Sequence, residues 1–171
     1  MDAPRLTRRA RYNRAVTKGS RAAVRGVAAT LAAVLLQTPA PGAPRVSASW
    51  YEGDQYDKAR AEQERTDAAM VLYVYTDWCP YCRAFEKGLL FTPEVERYLR
   101  DNVVKIRINP ETSAGAAALA RRLGASGYPS FYFRMPGRPP ERVALRAEGR
   151  LKSPAAFVAE LQARTRTRPP N

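Results

Sequence analysis

Two cysteines separated by two residues have the spacing needed for thiol–disulfide chemistry. They are the only cysteines of the 171-residue chain, and they lie in the run Trp78-Cys79-Pro80-Tyr81-Cys82. A β-rich run precedes them and a helical pattern follows, so the first sulfur is predicted at a helix N-terminus. Unpaired backbone amides and the helix dipole stabilise a thiolate there. We expect Cys79 to attack a substrate disulfide and Cys82, nearly one turn later, to resolve the mixed disulfide.

Other uses of the cysteine pair are open from spacing alone. A structural disulfide, or two unreactive thiols in the core, would have the same sequence. A metal site would need further ligands, but the chain has no histidine and two cysteines cannot form a four-thiolate site. The missing histidine also excludes Ser-His-Asp and Cys-His catalysis. We predict a redox-active pair, with no metal and no bound cofactor.

A second motif lies about fifty residues after the cysteines. The run Gly127-Tyr128-Pro129-Ser130 falls between a predicted helix and a predicted strand. The bond before a proline adopts the cis form at modest cost, and a cis bond here would expose backbone groups of Tyr128 beside the cysteines. An extended substrate could then pair with that backbone as an added strand. An ordinary trans proline that begins an edge strand is the alternative.

The elements that position these motifs follow from hydrophobic periodicity. Strands are predicted at 71–75, 103–108, 130–134 and 142–146, the last two joined as a hairpin. Helical patterns precede the first strand, separate the first three strands and follow the fourth. Alternating helices and strands form right-handed parallel crossovers, and the hairpin adds an antiparallel edge. The predicted fold is α/β, with a mixed four-stranded sheet and helices on both faces.

The two motifs together resemble the thioredoxin superfamily, whose fold is the one predicted here. The stretch 72–87, followed by Thr92-Pro93-Glu94-Val95, is similar to the C-terminal thioredoxin-like domain of the periplasmic disulfide reductase DsbD. The similarity covers roughly residues 70–161. The resemblance implies a thiol:disulfide oxidoreductase of thioredoxin-like fold.

The resemblance also implies roles for individual residues. Cys79 corresponds to the nucleophile, Cys82 to the resolving cysteine, Pro129 to the cis-proline and Trp78 to a flanking packing residue. The predicted substrate-binding residues are Trp78, Pro80, Tyr81, Tyr128 and Pro129.

The sequence departs from the family in two respects. Many members have a buried carboxylate six residues before the first cysteine, where this chain has Tyr73. The sequence therefore leaves open which group helps Cys82 lose its proton. Asp77 is one candidate. The Cys-Pro-Tyr-Cys tetrad resembles glutaredoxins, whose reduction potentials lie near about −200 to −230 mV against about −270 mV for thioredoxin. The glycine pair and acid with which glutaredoxins bind glutathione are absent after Pro129. We expect no glutathione-dependent activity.

The formal net charge of +13 is concentrated at the N-terminus. Residues 1–48 hold nine basic residues and one acidic residue. A basic stretch, a ten-residue apolar run at 27–36 interrupted only by Thr30, and a proline-rich segment have the layout of a secretory signal peptide, and we place the cut after Ala48. A run of ten residues is shorter than the roughly 20 apolar residues of a spanning helix. An uncleaved marginal anchor, an organellar transit peptide and a basic nucleic-acid-binding arm are the alternatives.

Four arginines lie on or beside the predicted hairpin: Arg134, Arg138, Arg142 and Arg146. Charged side chains commonly protect an exposed sheet edge from pairing with another chain. We interpret this basic edge in that way.

The predicted organisation is a signal peptide or marginal anchor with a proline-rich linker (1–48), an N-terminal helical extension (49–69), a thioredoxin-like domain (70–163) and a disordered tail (164–171). We predict an exported, periplasmic monomer that exchanges protein disulfides and thiols, more as a reductase than as an oxidase. A membrane electron donor and an N-terminal membrane tether are further expectations, and we expect no nucleic-acid partner. The alternative is a non-catalytic binding or carrier module whose cysteines form a structural disulfide.

Overall fold

The computed structural model describes residues 46–167, and this part contains seven strands and five α-helices. The strands are Tyr51–Glu52 (β1), Ala69–Val74 (β2), Val103–Ile108 (β3), Ser130–Arg134 (β4), Glu141–Arg142 (β5), Arg146–Ala147 (β6) and Arg150–Leu151 (β7). The α-helices are Tyr56–Thr66 (α1), Pro80–Phe85 (α2), Pro93–Asn102 (α3), Ala114–Arg122 (α4) and Pro154–Arg166 (α5). A 3-10 turn, Gly53–Gln55, precedes α1, and a π-helical turn, Glu86–Leu90, continues α2.

The predicted basic stretch and apolar run of the N-terminal segment lie outside the described residues. Among residues 46–167, none of the helices combines the length and the apolar character that crossing a membrane requires. The last helix continues to Arg166, beyond residue 163 where the prediction ended the domain. Its last turn is held by Arg164, which pairs with Glu141 at 2.9 Å and with Glu160 at 3.0 Å.

The main sheet is mixed, as predicted, but it has five strands, in the order β1-β3-β2-β4-β5. Strands β1 and β2 run parallel to β3, and β4 is antiparallel to β2 and β5. The prediction of four strands was wrong at β1, which pairs Tyr51 with Ile106 and Glu52 with Arg107. A strand of only two residues has no alternating pattern of its own, so the register of β3 determines it.

The predicted fourth strand, 142–146, is also shorter than expected. Only Glu141–Arg142 joins the sheet, and Arg146–Ala147 pairs with Arg150–Leu151 in a separate two-stranded ribbon. The chain reverses between β6 and β7 at Glu148 and Gly149, whose φ angles are 49° and 78°. Because this turn pairs β6 with β7, the end of the predicted strand leaves the main sheet.

Helices cover both faces of the sheet, which confirms the predicted α/β class. Strand β2 is buried along its whole length. Its Val71 and Tyr73 face a core formed with α2, α3 and α5, whereas Leu72 and Val74 face a second core formed with α1 and α4. A central strand with both faces covered is apolar throughout, and this explains the continuous apolar and aromatic sequence of β2.

A buried polar cluster links the segment before β1 to the sheet. Lys105 on β3 is 2% exposed, and its Nζ donates to the backbone oxygen of Ser47 at 2.7 Å. Glu62 on α1 is 8% exposed and accepts hydrogen bonds from the Tyr51 hydroxyl, at 2.5 Å, and from the Ser47 amide. Burial lowers the pKa of Lys105 from 10.5 to about 8, although the negative charge of Glu62 opposes this change.

Lys105 should make the folding stability of the oxidised, uncleaved protein, which retains Ser47, rise with pH. Its pKa is lower in the folded chain, so the unfolded chain binds more protons and unfolding becomes less favourable as pH increases from 8 to 10.5. Between about pH 7.5 and about pH 9.5 we expect a gain of about 2 kcal/mol in the free energy of unfolding. Lys105→Met should lose this gain, because methionine does not titrate.

Urea unfolding at the two pH values measures this difference. Lys58→Met, at an exposed position on α1, is the matched control and should keep the wild-type pH dependence. Equal pH dependence in the wild type and in Lys105→Met would contradict the prediction.

Candidate active site

The first cysteine lies at the junction between β2 and α2. Cys79 is the N-cap residue of α2, with φ −74° and ψ 109°, and Pro80 occupies the first helical position, where a missing N–H costs nothing. The Cys79 amide donates to the backbone oxygen of Thr76 at 3.2 Å, and the Arg83 amide donates to the Cys79 oxygen at 3.3 Å. These bonds close the turn between strand and helix, so they hold the cysteine at the predicted helix N-terminus.

The two cysteines are joined as a disulfide, with a Cα–Cα distance of 5.3 Å. This separation lies within the range in which two cysteines bridge without backbone movement. The Cys82 amide donates to the Cys79 Sγ at 3.1 Å, so a helix N–H points at the first sulfur as the dipole argument requires. Both cysteines are buried, at 2% and 1% exposure.

Two large aromatic side chains beside the cysteines are exposed. Trp78 is 62% exposed and Tyr81 is 66% exposed. The Trp78 Nε1 donates to the Glu111 carboxylate at 2.9 Å, and its ring makes an edge contact with Tyr128 at 6.1 Å between centroids. Trp78 therefore links the cysteine motif to the second motif. Glu111 was not among the predicted site residues.

The second motif has the predicted backbone geometry. The peptide bond between Tyr128 and Pro129 is cis, which confirms the predicted cis form of this bond. Tyr81, Tyr128 and Pro129 line one groove of about 550 Å³, so the structure brings these three predicted residues together. Trp78 and Pro80 are exposed at the surface outside this groove. The assignment of all five residues to substrate binding stays a prediction.

Tyr73 occupies the position at which many family members have a carboxylate. Its hydroxyl donates to the Glu86 Oε1 at 2.9 Å. Burial raises the pKa of Tyr73 far above its usual value, and the negative charge of Glu86 adds to this effect. The phenol therefore stays protonated at neutral pH and serves as a hydrogen-bond donor, so it cannot be the base that removes a proton from a thiol.

Glu86 is a carboxylate next to Tyr73 that the sequence reasoning did not identify. It is half-buried and follows Cys82 by four residues, a spacing that places two side chains on the same face of a helix. This spacing from Cys82 was the signal in the sequence that could have pointed to Glu86. Asp77, the candidate considered from sequence, is exposed and accepts a hydrogen bond from the Asn109 amide at 3.1 Å.

Tyr73→Phe should lower the free energy of unfolding by about 1–2 kcal/mol, because it removes a hydrogen bond to a charged group from a buried position. Glu86→Gln should cost less, since the amide oxygen still accepts the hydrogen bond. Urea unfolding of the oxidised proteins measures both effects. Tyr75→Phe is the matched control, because that ring stacks on Tyr73 but is only partly buried. A loss in Tyr75→Phe as large as in Tyr73→Phe would contradict the role given to the Tyr73–Glu86 bond.

Among residues 46–167, no cluster of three or more histidine, cysteine, aspartate or glutamate residues is placed to hold a metal ion. A disulfide at a helix N-terminus, next to a cis-proline and a groove, can exchange with an external thiol or disulfide.

Curated relatives of this chain include thiol:disulfide interchange proteins. It is 35% identical over 80 residues to the thiol:disulfide interchange protein DsbD of Cronobacter sakazakii, which covers 47% of this chain and 14% of that protein. It is 34% identical over 94 residues to DsbD of Yersinia enterocolitica, which covers 54% of this chain and 16% of that protein. The chain thus spans about a sixth or less of the length of these relatives.

Solved structures share the fold. A thioredoxin from Thermus thermophilus superposes with a TM-score of 0.53 at 29% identity, covering 68% of this chain and 85% of its own. The C-terminal domain of DsbD from Neisseria meningitidis, in its oxidised form, has a TM-score of 0.53 at 18% identity, covering 67% of this chain and 98% of its own. A family model described as thioredoxin-like matches residues 49–136, just over half of the chain. The chain therefore belongs to the thioredoxin-like family.

Proposed function

We propose that this chain is a thiol:disulfide oxidoreductase that exchanges disulfides with protein substrates through Cys79 and Cys82. The observation that carries the proposal is the placement of the pair. A disulfide begins α2, a helix amide donates to the first sulfur, and the cis Tyr128–Pro129 bond lies in the adjoining groove. The thiol:disulfide interchange proteins among its relatives support the same activity.

The exchange proceeds in two steps from the reduced form. The Cys79 thiolate attacks one sulfur of the substrate disulfide, which forms a mixed disulfide and releases the other substrate sulfur as a thiolate that takes up a proton. The Cys82 thiol then loses its proton and attacks the Cys79 sulfur, which releases the second substrate thiol. Two electrons pass from the protein to the substrate, and the protein is left oxidised. A dithiol donor must reduce it again.

We assign the direction as reduction, with a membrane protein as the electron donor. The likeness to DsbD favours a reductant, and the Cys-Pro-Tyr-Cys tetrad is the feature that favours a less reducing protein. The reduction potential of the cysteine pair distinguishes these two possibilities. It can be measured by equilibrating the protein with glutathione redox buffers and counting its free thiols by alkylation and mass spectrometry. We expect a potential between about −230 and about −270 mV. A potential above about −180 mV would instead assign an oxidase or isomerase.

We also propose that the protein acts outside the cytoplasm as a monomer, with protein thiols and disulfides as partners and without a nucleic-acid partner. The basic, apolar and proline-rich order of residues 1–48 supports export. N-terminal sequencing of protein recovered from the periplasm should begin at Ser49. A first residue upstream of the apolar run would favour an anchored form, and protein retained in the cytoplasm would contradict export.

A non-catalytic binding module is the second candidate. The observation that favours it is the low exposure of both cysteines, at most 2%. In this alternative the disulfide only stabilises the start of α2, and Cys79 forms no covalent adduct with a partner.

A further inference from the structure

The groove beside the cis-proline has an apolar floor and a basic rim. The residues that line it include the apolar Phe85, Phe131 and Val143, which we call its floor, and also Arg142 and Arg146. The floor residues are buried, whereas both arginines are exposed. A segment seated in this groove would therefore bury an apolar side chain and meet two positive charges at the edge.

Arg142 is held next to the second motif. Its Nη2 donates to the Ser130 Oγ at 3.2 Å, and that hydroxyl in turn donates to the backbone oxygen of Gly127 at 2.6 Å. Ser130 directly follows Pro129. The Arg142 guanidinium is therefore anchored one residue from the cis bond, by neutral groups that leave its charge uncompensated.

Arg146 is held in a similar way on the β6–β7 ribbon. Its Nη1 donates to the backbone oxygen of Gly149 at 2.8 Å. Across residues 46–167, neither Arg142 nor Arg146 forms an ion pair. Glu141 precedes Arg142 but pairs with Arg164, and Glu148 lies at the turn between β6 and β7 without pairing with either arginine.

The four arginines of the basic edge therefore separate into two groups. Arg134 donates to the Arg138 backbone oxygen and to the Tyr56 hydroxyl, and Arg138 lines a different pocket near α5. Only Arg142 and Arg146 line the groove next to Pro129. Protection of the sheet edge from pairing with another chain does not require two of these arginines to line the same apolar groove.

We propose that Arg142 and Arg146 select substrates whose reacting cysteine is flanked by acidic residues. The substrate segment carries an apolar side chain into the groove, and its neighbouring carboxylates meet the two guanidinium groups. This inference rests on the proposed exchange activity and adds a substrate class to it. Because Arg142 and Arg146 have no acidic partner among residues 46–167, the substrate carboxylates displace no ion pair of that part of the chain when they bind.

Three disulfide-linked peptides test the proposal. They share one apolar residue and differ only in the pair that flanks the cysteine: two glutamates, two glutamines or two lysines. We expect the reduced wild-type protein to reduce the glutamate peptide about tenfold faster than the lysine peptide, in kcat/KM at low salt. The ratio should fall towards one at about 0.5 M salt, where exposed charges are screened.

Variants assign this preference to the two arginines. The double variant Arg142→Gln with Arg146→Gln should remove most of it, and replacing both with glutamate should reverse it. Arg142→Lys should keep the preference, which distinguishes charge from damage to the fold. Arg138→Gln is the matched control and should behave as wild type.

A wild-type protein without preference, or a double glutamine variant that keeps the full preference, would overturn the proposal. A small neutral disulfide, hydroxyethyl disulfide, separates this failure from failure of the exchange activity. If the wild type reduces hydroxyethyl disulfide, and reduces the three peptides at equal rates, only the proposed substrate class is wrong. If the wild type reduces none of them, the proposed function is wrong and this inference falls with it.

Discussion

Cys79→Ser will reduce the rate of insulin disulfide reduction to that of dithiothreitol alone. A serine hydroxyl is a far weaker nucleophile than a thiolate at neutral pH, and it cannot form the mixed disulfide through which exchange proceeds. Removal of a covalent nucleophile commonly costs more than about 10³-fold in rate. The turbidity of precipitating insulin B chain, with dithiothreitol as the electron source, measures the effect.

Reduced wild-type protein is the stability control for this variant, since Cys79→Ser also removes the disulfide. The two should unfold at similar urea concentrations. A folded Cys79→Ser protein that keeps the wild-type rate would show that this sulfur is not the nucleophile.

Phe157→Ala should lower the free energy of unfolding by about 3–5 kcal/mol. Phe157 is fully buried on α5, and its ring contacts Phe131 at 5.3 Å and Phe85 at 6.4 Å between centroids. Truncation removes the aromatic contact area and leaves a cavity against α2. Such a loss is a large fraction of the total stability of a small domain, about 5–15 kcal/mol. Urea unfolding of the oxidised protein measures it.

Phe91→Ala is the matched control for this truncation. Phe91 is 42% exposed, so its removal creates no closed cavity and should cost much less. Equal losses in the two variants would mean that the core between α2 and α5 is not packed as described.

The central strands could be predicted because their sequences are long enough to have a pattern. Predicted strands at 103–108 and 130–134 match Val103–Ile108 and Ser130–Arg134, and the run at 71–75 overlaps Ala69–Val74. Strand β1 could not be predicted, because two residues carry no period and their pairing depends on β3. The approach of Gly53 to α4 was equally invisible: a Cβ added there would lie 2.8 Å from the Ala116 Cβ.

The candidate site also has features that could be predicted from sequence and features that could not. Cysteine spacing and the Tyr-Pro dipeptide are local signals, so both motifs were identified from sequence. The bond from Trp78 to Glu111 joins residues 33 apart, and the bond from Tyr73 to Glu86 joins residues 13 apart. Such contacts depend on how helices dock against the sheet, which no local pattern specifies.

Trapping of a mixed disulfide by Cys82→Ser tests the exchange mechanism most directly. Without the resolving thiol, Cys79 should attack a disulfide-linked peptide and remain bound to it. Intact-mass analysis at neutral pH should show an adduct of protein plus one peptide half, removed by dithiothreitol and located at Cys79 by proteolysis. The double variant Cys79→Ser with Cys82→Ser should form no adduct. A Cys82→Ser protein that is folded and yet forms no adduct would contradict the mechanism and would support a binding module with a structural disulfide.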